Sequence, residues 1–287
     1  MPRRVAGHGG LAKSPTMTDR IFTRVVIACD SAGENRSSIE AAARLATWLD
    51  AALHGIFVED QALFNLAALP FARHVGATGE IFRSIDQPAI SHHFTAQAIR
   101  IRAALEMAAN EKEVAWTFDI IRGSPSNSSL DIGDQDLLVI EAQSRPFAGT
   151  LRLDSRWLAT AFETHRSILL LRGGDNTHDI VALVQANGPT AFRLVTTAAK
   201  LAASGDRSLT LLIANDTIDT EGARKTVGAV SEKLAAKCRI GRITARALAN
   251  TRGSLLLVDA DPMVNDAAAL KELLSQTRAD VLFLHSH

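Results

Sequence analysis

The sequence has little of several features that would narrow its function. Its two cysteines, Cys29 and Cys238, are too few and too far apart for a disulfide framework or a zinc knuckle. No apolar run approaches the roughly 18 residues that a membrane helix needs. Lys and Arg together number 31, Asp and Glu number 31, and the formal net charge is zero. This balance argues against nucleic acid or an anionic membrane as a partner.

The amino-terminal segment carries no recognisable targeting signal. Residues 1–16 are basic and rich in glycine, and they lack the apolar core of a signal peptide. We therefore predict a disordered extension over residues 1–19 and a cytoplasmic protein. Met17 is an alternative to Met1 as the natural start.

The first half alternates between strand and helix patterns. Arg24–Asp30 is an apolar run rich in β-branched residues, which is typical of a strand buried on both faces of a parallel sheet. A helix at 37–52 and a strand at 53–58 complete a right-handed βαβ unit. Further strands are predicted at 114–121, 137–140 and 168–171, and further helices at 88–111 and 155–164.

The second half repeats this order in compressed form. We predict strands at 180–184, 209–213, 243–248, 255–258 and 281–284, and helices at 190–203, 221–237 and 267–277. An internal repeat of about half the chain length indicates two tandem α/β domains. We place them at residues 20–173 and 178–287.

An insertion at residues 61–87 separates the second strand from the next helix, and it contains several apolar side chains. Long loops of this kind often serve function. Three functional interpretations remain open: a lid over a cleft, a docking segment for a partner, or packing across the seam between domains. A loop folded back onto its own core fits equally well.

In their order, these segments resemble a domain of the universal stress protein family. The resemblance rests on five segments: Arg24–Asp30, the helix from Ser37, Leu53–Val58, Asp136–Ile140 and Ser167–Leu171. It covers residues 24–172 well and 178–287 more loosely. It implies two α/β domains, each an open parallel five-stranded sheet in the order 3-2-1-4-5 flanked by helices. The fifth strands would join them as an intrachain pseudo-dimer, with further association into a homodimer left open.

Family members that bind ATP resemble one another in a phosphate loop after the fourth strand. That loop reads Gly, two residues, Gly, nine residues, then Gly and a hydroxyl residue, so that backbone amides approach the phosphates. In this chain Glu141, Ser144 and Asp154 stand at the glycine positions, and Ser155 matches the hydroxyl. Two of the replacements are carboxylates, which repel a polyphosphate. The comparison implies that standard ATP binding is lost.

The second half departs further from the family pattern. Gln185 stands where the Asp of the first strand is expected, and Asp259 stands where the first loop glycine is expected. No glycine follows Asp259 before the next predicted helix. Both halves therefore lack the phosphate loop and add negative charge there.

A candidate cleft nevertheless remains in the first half, with five candidate ligand-binding residues: Asp30, Val58, Ser144, Arg145 and Ser155. The resemblance implies nucleoside contacts for Asp30 and Val58. Asp30 fits equally well as a cap of the following loop or helix, and Ser155 fits a helix N-cap better than a phosphate ligand.

Motifs of catalysis or metal binding are lacking. The sequence has no Gly-x-Ser-x-Gly, no His-Glu-x-x-His and no Gly-x-x-x-x-Gly-Lys-Ser/Thr. His92 and His93 are adjacent and lack the i, i+4 spacing of helical metal ligands. We interpret the acidic residues from Asp259 to Asp266 as a solvated turn and expect His285 to fray at the carboxyl terminus.

We therefore expect a non-enzymatic, stress-associated regulatory or interaction protein without a cofactor. It would recognise a protein partner or a small ligand at the carboxyl ends of its strands, where open α/β sheets bind. The alternative is a nucleotide-binding sensor that holds ATP or AMP through a non-standard loop with Arg145, Arg152 and Ser155.

Overall fold

The computed structural model describes residues 21–29, 36–61, 64–65, 73–75, 81–84, 87–123, 132–141, 143–144, 151–152, 166–172, 179–251, 253–263 and 266–285. The extension predicted at 1–19, the helix predicted at 155–164 and most of the insertion at 61–87 lie outside these residues.

The described residues alternate between strands and helices along the chain. The strands are β1 (Arg24–Cys29), β2 (Ala52–Asp60), β3 (Arg73–Val75), β4 (Ile81–Ser84), β5 (Trp116–Gly123), β6 (Asp136–Glu141), β7 (Gln143–Ser144), β8 (Leu151–Arg152), β9 (Ser167–Leu171), β10 (Ile180–Val184), β11 (Leu209–Ile213), β12 (Arg239–Arg242), β13 (Leu255–Asp259) and β14 (Asp280–Leu284). The helices are α1 (Arg36–Leu49), α2 (Gln87–Glu111), α3 (Pro189–Ser204), α4 (Thr220–Val230), α5 (Glu232–Lys237), α6 (Ala245–Ala249) and α7 (Ala267–Gln276).

One ten-stranded sheet runs through the molecule in the order β12-β11-β10-β13-β14-β9-β6-β1-β2-β5. Neighbouring strands are parallel except at the centre, where β9 pairs antiparallel with β14. The predicted α/β architecture with a mostly parallel sheet is confirmed. Where the prediction has two five-stranded sheets, the structure has one continuous sheet, because β9 and β14 share backbone hydrogen bonds.

Helices cover both faces of the sheet, which explains the apolar runs in the sequence. In β1, Val25 and Ile27 face the cluster that contains α1, α2 and α3, while Val26 faces the cluster on the opposite side. Since successive residues of a strand point to opposite faces, a strand covered on both sides needs apolar residues at every position. The five residues of β9 and of β14 are all buried.

In the second half, one predicted strand is wrong and one predicted helix is divided in two. Residues 243–248, predicted as a strand, follow the short strand β12 and form most of α6, which begins because the Thr244 side chain accepts a hydrogen bond from Ala247 N. The helix predicted at 221–237 is interrupted at Ser231. Ser231 has extended backbone, and its side chain caps α5 by accepting from Leu234 N at 3.3 Å.

A search of the described residues for a helix long and apolar enough to cross a membrane gave no candidate.

Candidate functional site

The strand order of the first half reverses between β1 and β6. From β1 the chain continues to β2 and β5 on one side, and it then returns to β6 on the other side of β1. Such a reversal leaves a crevice at the carboxyl ends of the two strands, which is where open α/β sheets bind ligands. We therefore take the carboxyl ends of β1, β2 and β6 as the candidate site.

The side chain of Glu141, the last residue of β6, lies at this crevice and contacts the start of α1. The hydroxyl of Ser38 donates a 2.7 Å hydrogen bond to Glu141 Oε2. Ser38 is buried in the first turn of α1, and Glu141 is partly buried. A carboxylate is favourable there because the amino-terminal end of a helix carries a partial positive charge. The carboxyl end of β6 thus carries a carboxylate that is hydrogen-bonded to the first turn of α1.

An ion pair joins the carboxyl ends of β2 and β5. Arg122 of β5 pairs with Glu59 at 2.9 Å, and its guanidinium lies 4.2 Å from the centre of the Phe64 ring. Phe64 in turn packs against Phe94 of α2, with ring centroids 5.2 Å apart. At Phe64, therefore, the insertion folds back onto the core of its own half.

The structure describes only two of the five residues of the predicted cleft. Val58 is described, and it is buried in the core with 3% of its surface exposed. Ser144 is described through its backbone, where β7 pairs with β8. The other three predicted residues, Asp30, Arg145 and Ser155, lie outside the described residues.

A second polar cluster lies at the carboxyl ends of β13 and β14. Nδ1 of His285 is 3.1 Å from Oδ1 of Asp261, and Arg193 of α3 donates to the His285 carbonyl at 2.6 Å. Asp259 accepts a 3.0 Å hydrogen bond from Asp261 N. Burial raises the pKa of the Asp259 carboxyl, whereas the hydrogen bond from Asp261 N lowers it and the charge of Asp261 adds a smaller rise. Burial also lowers the pKa of the Arg193 guanidinium.

This cluster corrects two expectations. His285 does not fray: it is fully buried, and its backbone amide donates to the Ser167 hydroxyl at 3.3 Å where β14 meets β9. The acidic segment is also not one uniformly solvated turn, because Asp259 is half-buried and Asp266 caps α7 by accepting from Ala269 N. The described residues contain no group of three acidic, His or Cys side chains arranged to hold a metal ion.

The role of Arg193 could not be found from the sequence. Its contact with His285 joins residues 92 positions apart, and its guanidinium lies 5.8 Å from the Phe22 ring of the first half. Nothing in the helical pattern around Arg193 distinguishes it from a solvated basic residue.

Comparison with known proteins identifies the fold. A universal stress protein from Archaeoglobus fulgidus aligns with a TM-score of 0.54 and 10% sequence identity, covering 92% of this chain and 98% of its own. A protein described as a universal stress protein from Pseudomonas aeruginosa aligns with a TM-score of 0.52 and 12% identity, covering 92% and 93%. A third structure, a P. aeruginosa protein of unknown function, aligns with a TM-score of 0.51 and 14% sequence identity, covering 94% of this chain and 94% of its own.

No protein-family model matches the sequence, and no curated protein matches it significantly. The likeness is thus one of fold: an α/β chain whose mostly parallel sheet and flanking helices match universal stress proteins over nearly their full length.

Proposed function

We propose that the chain is a regulatory or interaction protein of the universal stress type that has lost standard ATP binding and catalyses no reaction. The observation that carries the proposal is the hydrogen bond from Ser38 to Glu141. This bond supports the proposal because it holds a carboxylate of the protein itself at the position in the crevice where an anion would bind. A triphosphate entering there would meet this charge at close range.

The second half supports the same conclusion independently. Asp259 ends β13 at the position that corresponds to Glu141 at the end of β6, and Asp261 follows two residues later. The Asp259 carboxylate accepts a hydrogen bond from Asp261 N, and the Asp261 carboxylate contacts the ring of His285. Neither half offers a glycine at this position.

We further infer that the chain is a tandem pseudo-dimer of two universal-stress-like units. Each half contributes five strands to the sheet, and the succession β5-β2-β1-β6-β9 is matched by β12-β11-β10-β13-β14. Among the described strands, β9 and β14 are the pair that joins the two halves of the sheet. A protein partner or small ligand would then be recognised at the strand ends that ATP no longer occupies, without a resident cofactor.

Calorimetric titration of the full chain with ATP, with and without magnesium, tests this function. We expect no binding heat up to millimolar ATP and no release of phosphate on prolonged incubation. Glu141→Gln keeps an acceptor for Ser38 while removing the charge, so any residual ATP affinity should rise in this variant. The matched control is Glu106→Gln, a change of an exposed Glu on α2, which should have no effect.

Micromolar binding of ATP or AMP by the unaltered chain would contradict the proposal. It would favour the alternative, a nucleotide sensor with a non-standard loop that uses Arg145, Arg152 and Ser155. Substitution of Arg145 by Ala would then weaken nucleotide binding, which separates the two functions in one set of titrations.

A further inference from the structure

A cavity of about 210 Å³ opens between α3 and α4, at the carboxyl ends of β10 and β11. Its floor is apolar and is formed by buried side chains of Val184, Val195 and Ile218. For comparison, an apolar cavity of about 150 Å³ accepts benzene. The space between α3 and α4 is therefore large enough for one substituted ring.

The mouth of this cavity carries an aromatic ring and a carboxylate. Phe192 on α3 leaves 62% of its surface exposed although it borders the apolar floor. Asp219, the N-cap of α4, lines the opposite side and is exposed. Among the described residues that line the cavity, Asp219 is the charged one. The amino-terminal ends of α3 and α4 offset part of this charge, so we expect a modest preference for a cation over an anion.

Other polar groups around the cavity are already engaged within the protein. The Asn187 amide nitrogen donates to Thr217 O at 2.8 Å, and its oxygen accepts from Asp219 N at 2.9 Å. The Thr226 hydroxyl donates to Gly222 O at 2.9 Å. These bonds fix the loop that carries Asp219. One oxygen of Asp219 accepts from Gly222 N at 2.8 Å, and its carboxylate charge remains at the mouth.

We infer that this cavity is a binding site for a small ligand that combines one apolar ring with a cationic amine. The ring would lie on Val184, Val195 and Ile218 beside Phe192, and the ammonium group would face Asp219. This site is separate from the crevice between β1 and β6, and it does not depend on whether the chain binds ATP.

The first test uses benzylamine as the probe, with benzyl alcohol and benzoate as neutral and anionic comparisons of similar size. Titrations are followed by ¹H–¹⁵N correlation spectra of the full chain. We expect benzylamine to shift the amide resonances of Phe192, Val195 and Ile218 and to bind about three- to fivefold more tightly than benzyl alcohol, as suits a solvent-exposed ion pair. Benzoate should bind most weakly.

Two variants separate the charge from the cavity. Asp219→Asn preserves the helix cap, since Asn caps as well as Asp, and should abolish the preference for benzylamine over benzyl alcohol. The matched control is Asp266→Asn, the same change at the cap of α7, which should leave the preference intact. Ala223→Leu fills the cavity from α4 and should reduce binding of both probes at least about tenfold, a loss of about 1.4 kcal/mol.

Ala191→Leu fills the cavity from α3 and serves where Ala223→Leu fails to fold. Ala268→Leu, at an exposed position of α7, is the control for the added side chain. The inference is overturned if 10 mM benzylamine, a concentration on the order of a weak fragment affinity, shifts none of the three resonances. It is also overturned if a folded cavity-filling variant binds as the unaltered chain does, or if Asp219→Asn keeps the charge preference.

Discussion

Gly55 in β2 marks the place where α2 lies against the sheet. A Cβ atom at this position would lie 2.8 Å from Leu105 Cδ2 of α2 and 3.0 Å from Phe118 Cδ2 of β5. Both distances are shorter than usual for packed side chains, so the Leu105 side chain or the Phe118 ring must shift within a fully packed core. The close approach of α2 therefore requires glycine here.

We predict that Gly55→Ala lowers the free energy of unfolding by about 1–3 kcal/mol, the usual cost of overpacking. Urea denaturation measures this difference. The control is Gly228→Ala in α4, where an added Cβ would come no closer than 3.7 Å to Ala235 Cβ. That variant should gain about 0.5–1 kcal/mol, since alanine is the better helix former. If the two substitutions changed the free energy of unfolding equally, the contact between α2 and β2 at Gly55 would not be tightly packed.

At the scale of elements, the pairing of β9 with β14 places polar groups at both ends of a buried seam. At one end, the backbone amide of Arg172 donates to Asp280 Oδ1 at 2.6 Å. At the other end, His285 N donates to the Ser167 hydroxyl. Burial raises the pKa of Asp280 to about 6, although the hydrogen bond and charge of Arg172 act in the opposite direction.

The raised pKa makes the seam sensitive to pH. Because the folded carboxyl holds its proton more tightly than the unfolded one, its contribution to stability is fully present below about pH 4 and is lost as pH rises through about 6. Asp280→Asn mimics the protonated form, so we predict that it matches the unaltered chain near pH 4 and exceeds its stability at pH 7.5 by on the order of 1–3 kcal/mol.

Urea unfolding of both proteins at several pH values provides the measurement for Asp280. Asp134→Asn, a change at an exposed position before β6, should show no such divergence with pH. The range from pH 4 to 7.5 spans the raised pKa of about 6. If the difference in stability between Asp280→Asn and the unaltered chain stays constant over this range, burial does not destabilise the charged form of Asp280.

The sequence predicts most elements because the strands are buried on both faces. Runs such as Ile180–Val184 and Leu255–Val258 leave no polar position that would suggest another structure. The predicted boundaries are wrong where one capping side chain determines the residue at which a helix begins. Ser231 and Thr244 each cap a new helix by accepting one backbone hydrogen bond. The sequence does not distinguish such a capping hydroxyl residue from one inside a continuous helix or strand.

The candidate sites were harder to predict than the fold. The acidic residues Glu141 and Asp259 are visible in the sequence at the ends of predicted strands, so their position could be inferred. The partner of Glu141 is Ser38, which lies 103 positions away, and the burial of His285 depends on contacts with Asp261 and Arg193. The cavity between α3 and α4 arises from the spacing of two helices, which no local pattern encodes.

At the scale of the whole molecule, each half leaves an open edge that the other half covers. Within the first half, β9 has β6 on one side and only β14 on the other. All five residues of β9 are buried in the full chain, and α1 packs beside α3, with Ser204 donating to Trp48 O at 3.0 Å. A first half made alone would expose an unpaired edge strand and an apolar face.

We therefore predict that a fragment of residues 20–173 associates with itself through β9, because an antiparallel β9–β9 pair replaces the lost β9–β14 pair. Sedimentation equilibrium should give twice the fragment mass, while the full chain under the same conditions serves as the reference. Addition of a fragment of residues 178–287 should convert the self-associated species into a one-to-one complex, since the native pair also restores contacts such as Arg207 over the Trp48 ring. A folded fragment that stays monomeric at about 50 μM, well above the dissociation constant of a stable interface, would contradict both the tandem organisation and the role assigned to this seam.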